Sequence, residues 1–122
     1  MQDSSAIRDS GSYGINISNS GKIHMNMNEG AGEEDSAQIT GSNGIYVDTY
    51  NEVDISLGKK SLIKGENKTY GIRFYNNSSG AGCKLLMQNN SRISGFSNSG
   101  IYLHRYSSPI NITMIDSAAI ED

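Results

Sequence analysis

The sequence predicts an all-β fold, a right-handed parallel β-helix in which the chain winds as a solenoid of about four coils. Three observations support this prediction: a Gly-Ile pair recurs every 27–30 residues, apolar and polar residues alternate after each pair, and Gly, Asn and Ser are abundant. Alternation with a period of two is typical of strands with one buried face. We therefore expect residues 1–122 to form a single β-helix segment, a piece of a longer solenoid with three strands per coil.

The first strand of each predicted coil begins with the Gly-Ile pair. The pairs start at four glycines separated by 30, 27 and 29 positions: Gly14, Gly44, Gly71 and Gly100. A second apolar residue stands two positions after each isoleucine, at Ile17, Val47, Phe74 and Leu103. Because successive side chains of a strand point to opposite faces, these residues are expected to face the interior.

The second strand carries the longest alternation. Its apolar residues form four sets: Ile23, Met25, Met27; Val53, Ile55, Leu57; Cys83, Leu85, Met87; and Ile110, Ile112, Met114. The residues between them are expected to face solvent, and they include His24, Asp54, Lys84 and Asn111. Cys83 is in register with isoleucine and valine, so it is interpreted as a small buried hydrophobic residue rather than a reactive thiol.

The third strand is marked by one isoleucine per coil. These residues are Ile7, Ile39, Ile63, Ile93 and Ile120. Two positions earlier stands a small residue that suits a tight interior corner: Ser5, Ala37, Ser61, Ser91 or Ala118. Two positions later stand residues at which a left-handed backbone is expected: Gly41, Gly65 and Gly95, with Asp9 and Asp122 at the two ends of the chain.

An antiparallel β-sandwich also consists of short alternating strands and is the alternative fold. A sandwich does not require the same apolar register in every cycle, whereas stacked coils place isoleucine on isoleucine. Cycles of 27–30 residues are also too short for a propeller blade. The repeat therefore favours the β-helix.

Charge and cysteine content exclude several classes of function. A formal net charge of −3 provides little attraction for nucleic acid or anionic membranes. Cys83 is the single cysteine, so no internal disulfide can form. The sequence shows neither a signal peptide nor an apolar run long enough to span a bilayer, so we expect no membrane insertion by this segment.

One outward column of the first strand contains the candidate binding residues. The column runs Asn16, Tyr46, Arg73 and Tyr102, so Arg73 is expected to lie between two tyrosine rings on adjacent coils. Tyr50 and Tyr106 lie just after this strand. We predict an aromatic strip that binds sugars by ring stacking or contacts a protein partner. The alternative is a ladder of β-favouring residues that only stabilises the sheet.

Metal and thiol chemistry find little support in the sequence. His24 and His104 belong to different columns, and with one cysteine the chain has no metal-ligand spacing. The acidic run Glu33-Glu34-Asp35 follows Gly30-Ala31-Gly32 in the longest bend, but it lacks the alternation of a calcium loop and is interpreted as solvated. We expect no metal and no cofactor.

The repeat also carries a family resemblance. From Gly44 through Gly95 the chain follows the pattern Gly-Ile-x-apolar, bend, apolar-x-apolar-x-apolar, bend, Ser-x-Ile-x-Gly. This pattern, which extends over nearly the whole chain, resembles the passenger domains of Gram-negative autotransporters, which are pectin-lyase-like β-helices. The resemblance implies export through an outer-membrane barrel and secretion or display at the bacterial surface. It implies a structural or adhesive segment whose partner is a host surface protein, a glycan or a like chain.

The same fold class includes lyases and glycoside hydrolases that degrade polysaccharides, and phage tailspikes, which are the alternative function. Their chemistry needs clustered acids, or calcium-binding aspartates beside a base. Asp48, Asp54 and Asp116 instead fall at different points of the repeat. We therefore expect a protein that is not an enzyme.

Overall fold

The computed structural model is an all-β solenoid of about three turns. It describes residues 6–8, 12–19, 21–27, 37–49, 51–77, 82–106 and 109–121. The strands are β1 (Ala6–Arg8), β2 (Ile15–Asn19), β3 (Ile23–Met27), β4 (Gln38–Gly41), β5 (Ile45–Thr49), β6 (Val53–Leu57), β7 (Leu62–Asn77), β8 (Cys83–Met87), β9 (Arg92–Tyr106), β10 (Ile110–Met114) and β11 (Ala119–Glu121). Among these residues, no helix is long and apolar enough to cross a membrane.

All strand pairs are parallel, and their register confirms the predicted columns. In one sheet the order is β10-β8-β6-β3, and Val53 pairs with Ile23 on one side and Cys83 on the other. In the other sheet Ile72 pairs with Ile45 and Ile101, while Ile63 pairs with Ile39 and Ile93. The sequence predicted about four coils, and the structure has about three turns. The four strands β10, β8, β6 and β3 are separated by three steps along the axis, which accounts for the difference.

Two of the three predicted strand columns join into one sheet. Strands β7 and β9 each run through a third strand and onward into the first strand of the next coil, with register shifts between Lys64 and Tyr70. Phe96 fills this corner at 3% exposure. A Cβ on Gly65 would lie 2.5 Å from the Phe96 Cδ1 atom, so glycine is needed there for space.

The core is a continuous stack of inward side chains. Ile39, Ile63 and Ile93 are fully buried in the third-strand column, as are Ile45, Ile72 and Phe74 in the first. Cys83 is buried as a free cysteine in the second, which confirms its predicted place among apolar residues. Burial of such columns is the main favourable contribution to stability in a solenoid, because each coil covers its neighbours.

The repeated glycine before each isoleucine is explained by close backbone approach. A Cβ built on Gly44 would lie 2.5 Å from the carbonyl oxygen of Gly71 and would also strike the Ile63 side chain. The Gly44 amide itself donates to the Tyr70 carbonyl at 3.1 Å. The Gly-Ile pair therefore marks the point where adjacent turns come nearest.

The expected left-handed backbone after the third strand is wrong for two of the three glycines. Of Gly41, Gly65 and Gly95, only Gly95 has a positive φ, +75°, while Asp9 and Asp122 lie outside the described residues. Left-handed residues instead occupy the turns between the second and third strands: Lys60, Asn89, Asn90, Asp116 and Ser117. Each of these turns is closed by a hydrogen bond between residues three positions apart, and several tight turns of this length require positive φ.

These tight turns stack on one another. Within each, an amide donates to the carbonyl three residues earlier: Ser61 to Gly58, Ser91 to Gln88, and Ala118 to Ile115, at 3.1–3.2 Å. Between turns, the Lys60 amide donates to Asn89 and the Asn90 amide to Asp116, at 2.8 and 2.9 Å. The small residues predicted for this corner are fully buried at Ala37, Ser61 and Ser91, whereas Ser5 lies outside the described residues.

Candidate binding face

The predicted outward column of the first strand is assembled by strand pairing. Asn16 pairs with Tyr46, Tyr46 with Arg73, and Arg73 with Tyr102, so the four side chains lie on successive turns. Of the other predicted site residues, Tyr50 lies outside the described part of the chain. Tyr106 ends β9, and its side chain is also outside the description.

Arg73 is enclosed by tyrosine rings. Its guanidinium carbon lies 5.3–5.7 Å from four ring centroids, those of Tyr46, Tyr70, Tyr75 and Tyr102. The prediction identified Tyr46 and Tyr102 but missed the other two. Tyr75 had a signal, because it follows Arg73 by two positions and so shares its outward side. A guanidinium at this distance from ring faces is held by cation–π attraction.

The ring contacts continue beyond Arg73 and define a surface that we name the tyrosine–arginine face. It consists of Tyr13, Tyr46, Tyr70, Arg73, Tyr75, Tyr102 and His104. Tyr70 stacks on Tyr102 at 4.4 Å, and Tyr75 stacks on His104 at 4.7 Å with only 4° between the ring planes. Tyr13 contacts Tyr46 at 4.8 Å. The rings therefore form diagonal and vertical pairs along the solenoid axis, and all seven side chains are partly buried.

The electrostatics of the face centre on an arginine without an acceptor. Among the described residues Arg73 makes no hydrogen bond or ion pair, and its Nε is buried without a partner. Burial, followed by the nearby Asp48 carboxylate and the Tyr13 ring, raises the pKa of Tyr46 above 10.0, although Arg73 opposes this shift. The Arg73 guanidinium therefore brings a positive charge to the face, between aromatic rings.

Hydrogen bonds fix the polar margin of the face. The Asn43 side-chain amide donates to the Ser12 carbonyl at 2.7 Å and accepts from the Thr69 hydroxyl at 2.6 Å. The Tyr102 hydroxyl lies 3.3 Å from His104 Nδ1, within hydrogen-bond distance. The two Asn43 bonds link adjacent turns, and the Tyr102–His104 contact lies within β9.

The outward side of the second strand carries ion pairs. Lys22 and Glu52 form an ion pair at 2.9 Å, and Lys84 lies 3.9 Å from Glu52 and 4.0 Å from Asp54. The hydrogen bond and charge of Lys22 lower the pKa of Glu52, and those of Glu52 raise the pKa of Lys22. A shallow depression of about 300 Å³ lies beside these residues, lined by His24, Asn26, Asp54, Ile55, Ser56, Lys84 and Leu86. Acids and bases on this side therefore neutralise one another.

The described residues contain no group of three or more His, Cys, Asp or Glu that could hold a metal ion. His24 lies on β3 and His104 on β9, in different sheets. The acidic run Glu33-Glu34-Asp35 falls outside the described residues. The cluster with the most distinctive chemistry in the described chain is therefore the tyrosine–arginine face.

The chain matches no protein-family model, no curated protein and no solved structure.

Proposed function

We propose that this chain is a structural and adhesive segment, a rigid solenoid that presents the tyrosine–arginine face to a partner on a cell surface. The observation that carries the proposal is the enclosure of Arg73 by the rings of Tyr46, Tyr70, Tyr75 and Tyr102. Tyrosine and arginine are the residues that most often supply the energy of protein recognition. Tyrosine also offers a large contact area with an apolar ring and a polar hydroxyl.

The fold supports this role by holding the face in place before a partner arrives. Ile45, Ile72 and Phe74 lie fully buried on the inner side of the same strands, and the first-strand segments of adjacent turns pair in register. Rigid side chains lose little conformational entropy on binding. A stacked sheet therefore suits a binding surface better than a mobile loop would.

The acidic side chains are consistent with binding rather than catalysis as the proposed role. Glu52 pairs with Lys22, and Glu121 accepts two hydrogen bonds of 3.0 Å from Arg92. Carboxylates neutralised by a base at the surface are typical of structural ion pairs. The proposal therefore assigns function to the aromatic surface.

The test is binding of the fluorescently labelled chain to cultured epithelial cells. We expect Tyr46→Ser combined with Tyr102→Ser to reduce cell binding at least tenfold, because two of the four rings around Arg73 are removed. Asp54→Asn combined with Lys84→Gln, on the other sheet, is the control and should bind as the parent chain does. Circular dichroism checks that each variant is folded. Equal binding by the two double variants, or no binding by the parent chain, would refute the proposal.

We further propose that the segment belongs to the passenger of a Gram-negative autotransporter and is displayed at, or released from, the bacterial surface. The support is the coil pattern from Gly44 through Gly95, with its fixed apolar columns and variable bends. The test is the gene around this segment. An export signal upstream and a membrane barrel downstream are the expected result, and a complete reading frame with neither would contradict the proposal.

A further inference from the structure

We infer that the tyrosine–arginine face binds an acidic glycan, with a uronate carboxylate at Arg73 and the sugar rings against the neighbouring tyrosines. The inference rests on the proposed function and names the ligand class of the same face. It follows from three features of the described part of the face: an arginine lacking an acceptor, aromatic rings repeated along the axis, and outward positions without aliphatic side chains.

The first feature is the unsatisfied arginine. Arg73 has five N–H donors, yet the described residues give it no acceptor and leave its Nε buried and unpaired. Asp48 is the one acid among the outward residues of this strand column, and it pairs in register with Tyr75 rather than with Arg73. A carboxylate matches the guanidinium fork with two parallel hydrogen bonds, and such bonds strengthen where water is excluded. An incoming carboxylate would therefore supply the acceptor that the described residues do not.

The second feature is the spacing of the rings. Tyr46, Arg73 and Tyr102 occupy successive turns in register, and adjacent parallel strands are separated by about 4.8 Å. One sugar of an extended glycan advances by a similar distance. A glycan lying along the solenoid axis would therefore place successive sugars over successive turns, with C–H faces against tyrosine rings.

The third feature separates a glycan from a peptide. The outward positions of this strand column hold tyrosine, arginine, histidine, one aspartate and small polar residues: Tyr13, Asn43, Tyr70, Ser99; Asn16, Tyr46, Arg73, Tyr102; Ser18, Asp48, Tyr75 and His104. Protein interfaces are enriched in tyrosine and arginine as well, but their buried centre is more apolar than their rim and is also enriched in methionine. Here the apolar surface is aromatic alone and is bordered by amides and hydroxyls, which match the hydroxyl groups of a sugar.

The experiment uses tyrosine fluorescence of the full chain. The sequence has no tryptophan and seven tyrosines, of which Tyr13, Tyr46, Tyr70, Tyr75 and Tyr102 lie on the face, so the signal reports on the site directly. The probe is a hyaluronan decasaccharide, which alternates glucuronate with N-acetylglucosamine. Fully N-acetylated chitohexaose is the neutral glycan control, and hexaglutamate is the acidic peptide control.

We expect saturable fluorescence change with hyaluronan and at least tenfold weaker binding of chitohexaose and hexaglutamate. Arg73→Gln should weaken hyaluronan binding at least tenfold, and Arg73→Lys should weaken it severalfold because an ammonium lacks the bidentate fork. Arg8→Gln, which removes an exposed arginine from the third strand, is the matched control and should bind normally.

Each contrary result has a definite meaning. Equal binding of chitohexaose would show a glycan surface without selectivity for acids, which overturns the inference and leaves the proposed function standing. Equal binding of hexaglutamate, lost with Arg73→Gln, would show a peptide site and overturn the inference. No response to hyaluronan also overturns it, and the cell-binding experiment then decides the proposed function separately.

Discussion

At the scale of single residues, the glycine column sets how closely adjacent turns approach. Gly44→Ala should destabilise the fold by about 1–3 kcal/mol, the usual range for forcing atoms into packed space, because its Cβ would lie 2.5 Å from the Gly71 carbonyl. Gly21→Ala is the control, since a Cβ there meets nothing within 4 Å. Urea unfolding measures both free energies, and equal values for the two variants would contradict this account of the Gly-Ile pair.

Two serines at equivalent corners have opposite expected effects. The Ser61 hydroxyl donates to the Met27 carbonyl at 2.7 Å, whereas the buried Ser91 hydroxyl has no partner among the described residues. Ser61→Ala should therefore cost about 0.5–1.5 kcal/mol, while Ser91→Ala should be neutral or stabilising. Alanine already stands at the corresponding Ala37, so the backbone accepts it. Thermal unfolding of the two variants side by side tests the difference, and a larger loss from Ser91→Ala would refute it.

The Lys22–Glu52 ion pair predicts a defined pH response. Because the folded pKa of Glu52 is below its ordinary 4.5, its stabilising contribution is present above 4.5 and is lost as pH falls through the folded pKa. The folded pKa of Lys22 is above 10.5, so its contribution is present below 10.5 and is lost as pH rises through the folded pKa. Lys22→Gln should return the Glu52 pKa toward 4.5. An NMR titration of the Glu52 carboxyl measures this, with Lys64→Gln as the control that should leave it unchanged.

The tyrosines around Arg73 show which neighbours the alternation and spacing of residues can predict. Tyr46 and Tyr102 were predicted around Arg73 because they share its register in adjacent coils. Tyr70 was missed because it precedes Arg73 by three positions, and strict alternation places such a residue on the opposite side. Its ring nevertheless lies on the outer side, where it stacks on Tyr102 at 4.4 Å. Such irregularities depend on packing at the corner, which no local pattern reports.

At the scale of elements, the stacked tight turns require a left-handed backbone at residues other than glycine, which costs conformational energy. Ser117 has φ +61°, the same as Asn90 in the preceding turn. Asparagine tolerates a left-handed backbone better than serine does, so Ser117→Asn should stabilise the fold by less than about 1 kcal/mol. Ser117→Val should destabilise it, because a β-branched residue is strained at positive φ. Urea unfolding measures both, and the same sign of change for the two variants would contradict the argument.

The turns also show why the glycine prediction was partly wrong. Glycine signals either positive φ or lack of room, and sequence does not distinguish the two. Gly95 has a positive φ, whereas Gly65 is required because Phe96 and the Gly95 carbonyl stand in the place of a side chain. The left-handed pair Asn89–Asn90 had a recognisable signal, because asparagine is enriched at such positions.

At the scale of the whole molecule, the fold was predictable because its apolar columns repeat in register. The three columns led by Ile15, Ile23 and Ile7 pair turn to turn as the spacing indicated. The joining of two columns through β7 and β9 was not predictable, since it depends on whether the corner keeps its backbone pairs. Periodic burial therefore determines the solenoid, and local corner packing determines where strands are interrupted.

The exposed apolar residues of the last turn predict self-association of this chain. This turn leaves five large apolar side chains 38–46% exposed: Leu103, Ile112, Met114, Ile115 and Ile120. Exposed apolar surface beside an open strand edge favours stacking of one molecule on another. Sedimentation velocity should show association that rises with concentration and is reduced by Ile112→Lys. Asn111→Lys, which points outward on the same strand, is the control. A monomer at all concentrations would refute the prediction.

The parallel pairing of every turn with the next has a mechanical consequence. The backbone hydrogen bonds between turns run along the solenoid axis, so a force applied through the chain ends peels the terminal turn by breaking its bonds one after another. Each turn stays folded until its backbone hydrogen bonds to the next turn have broken, and the force then acts on that next turn. Under tension such a molecule lengthens in turn-sized steps from its ends, while the interior turns that carry Arg73 keep their shape until the turns outside them have unwound.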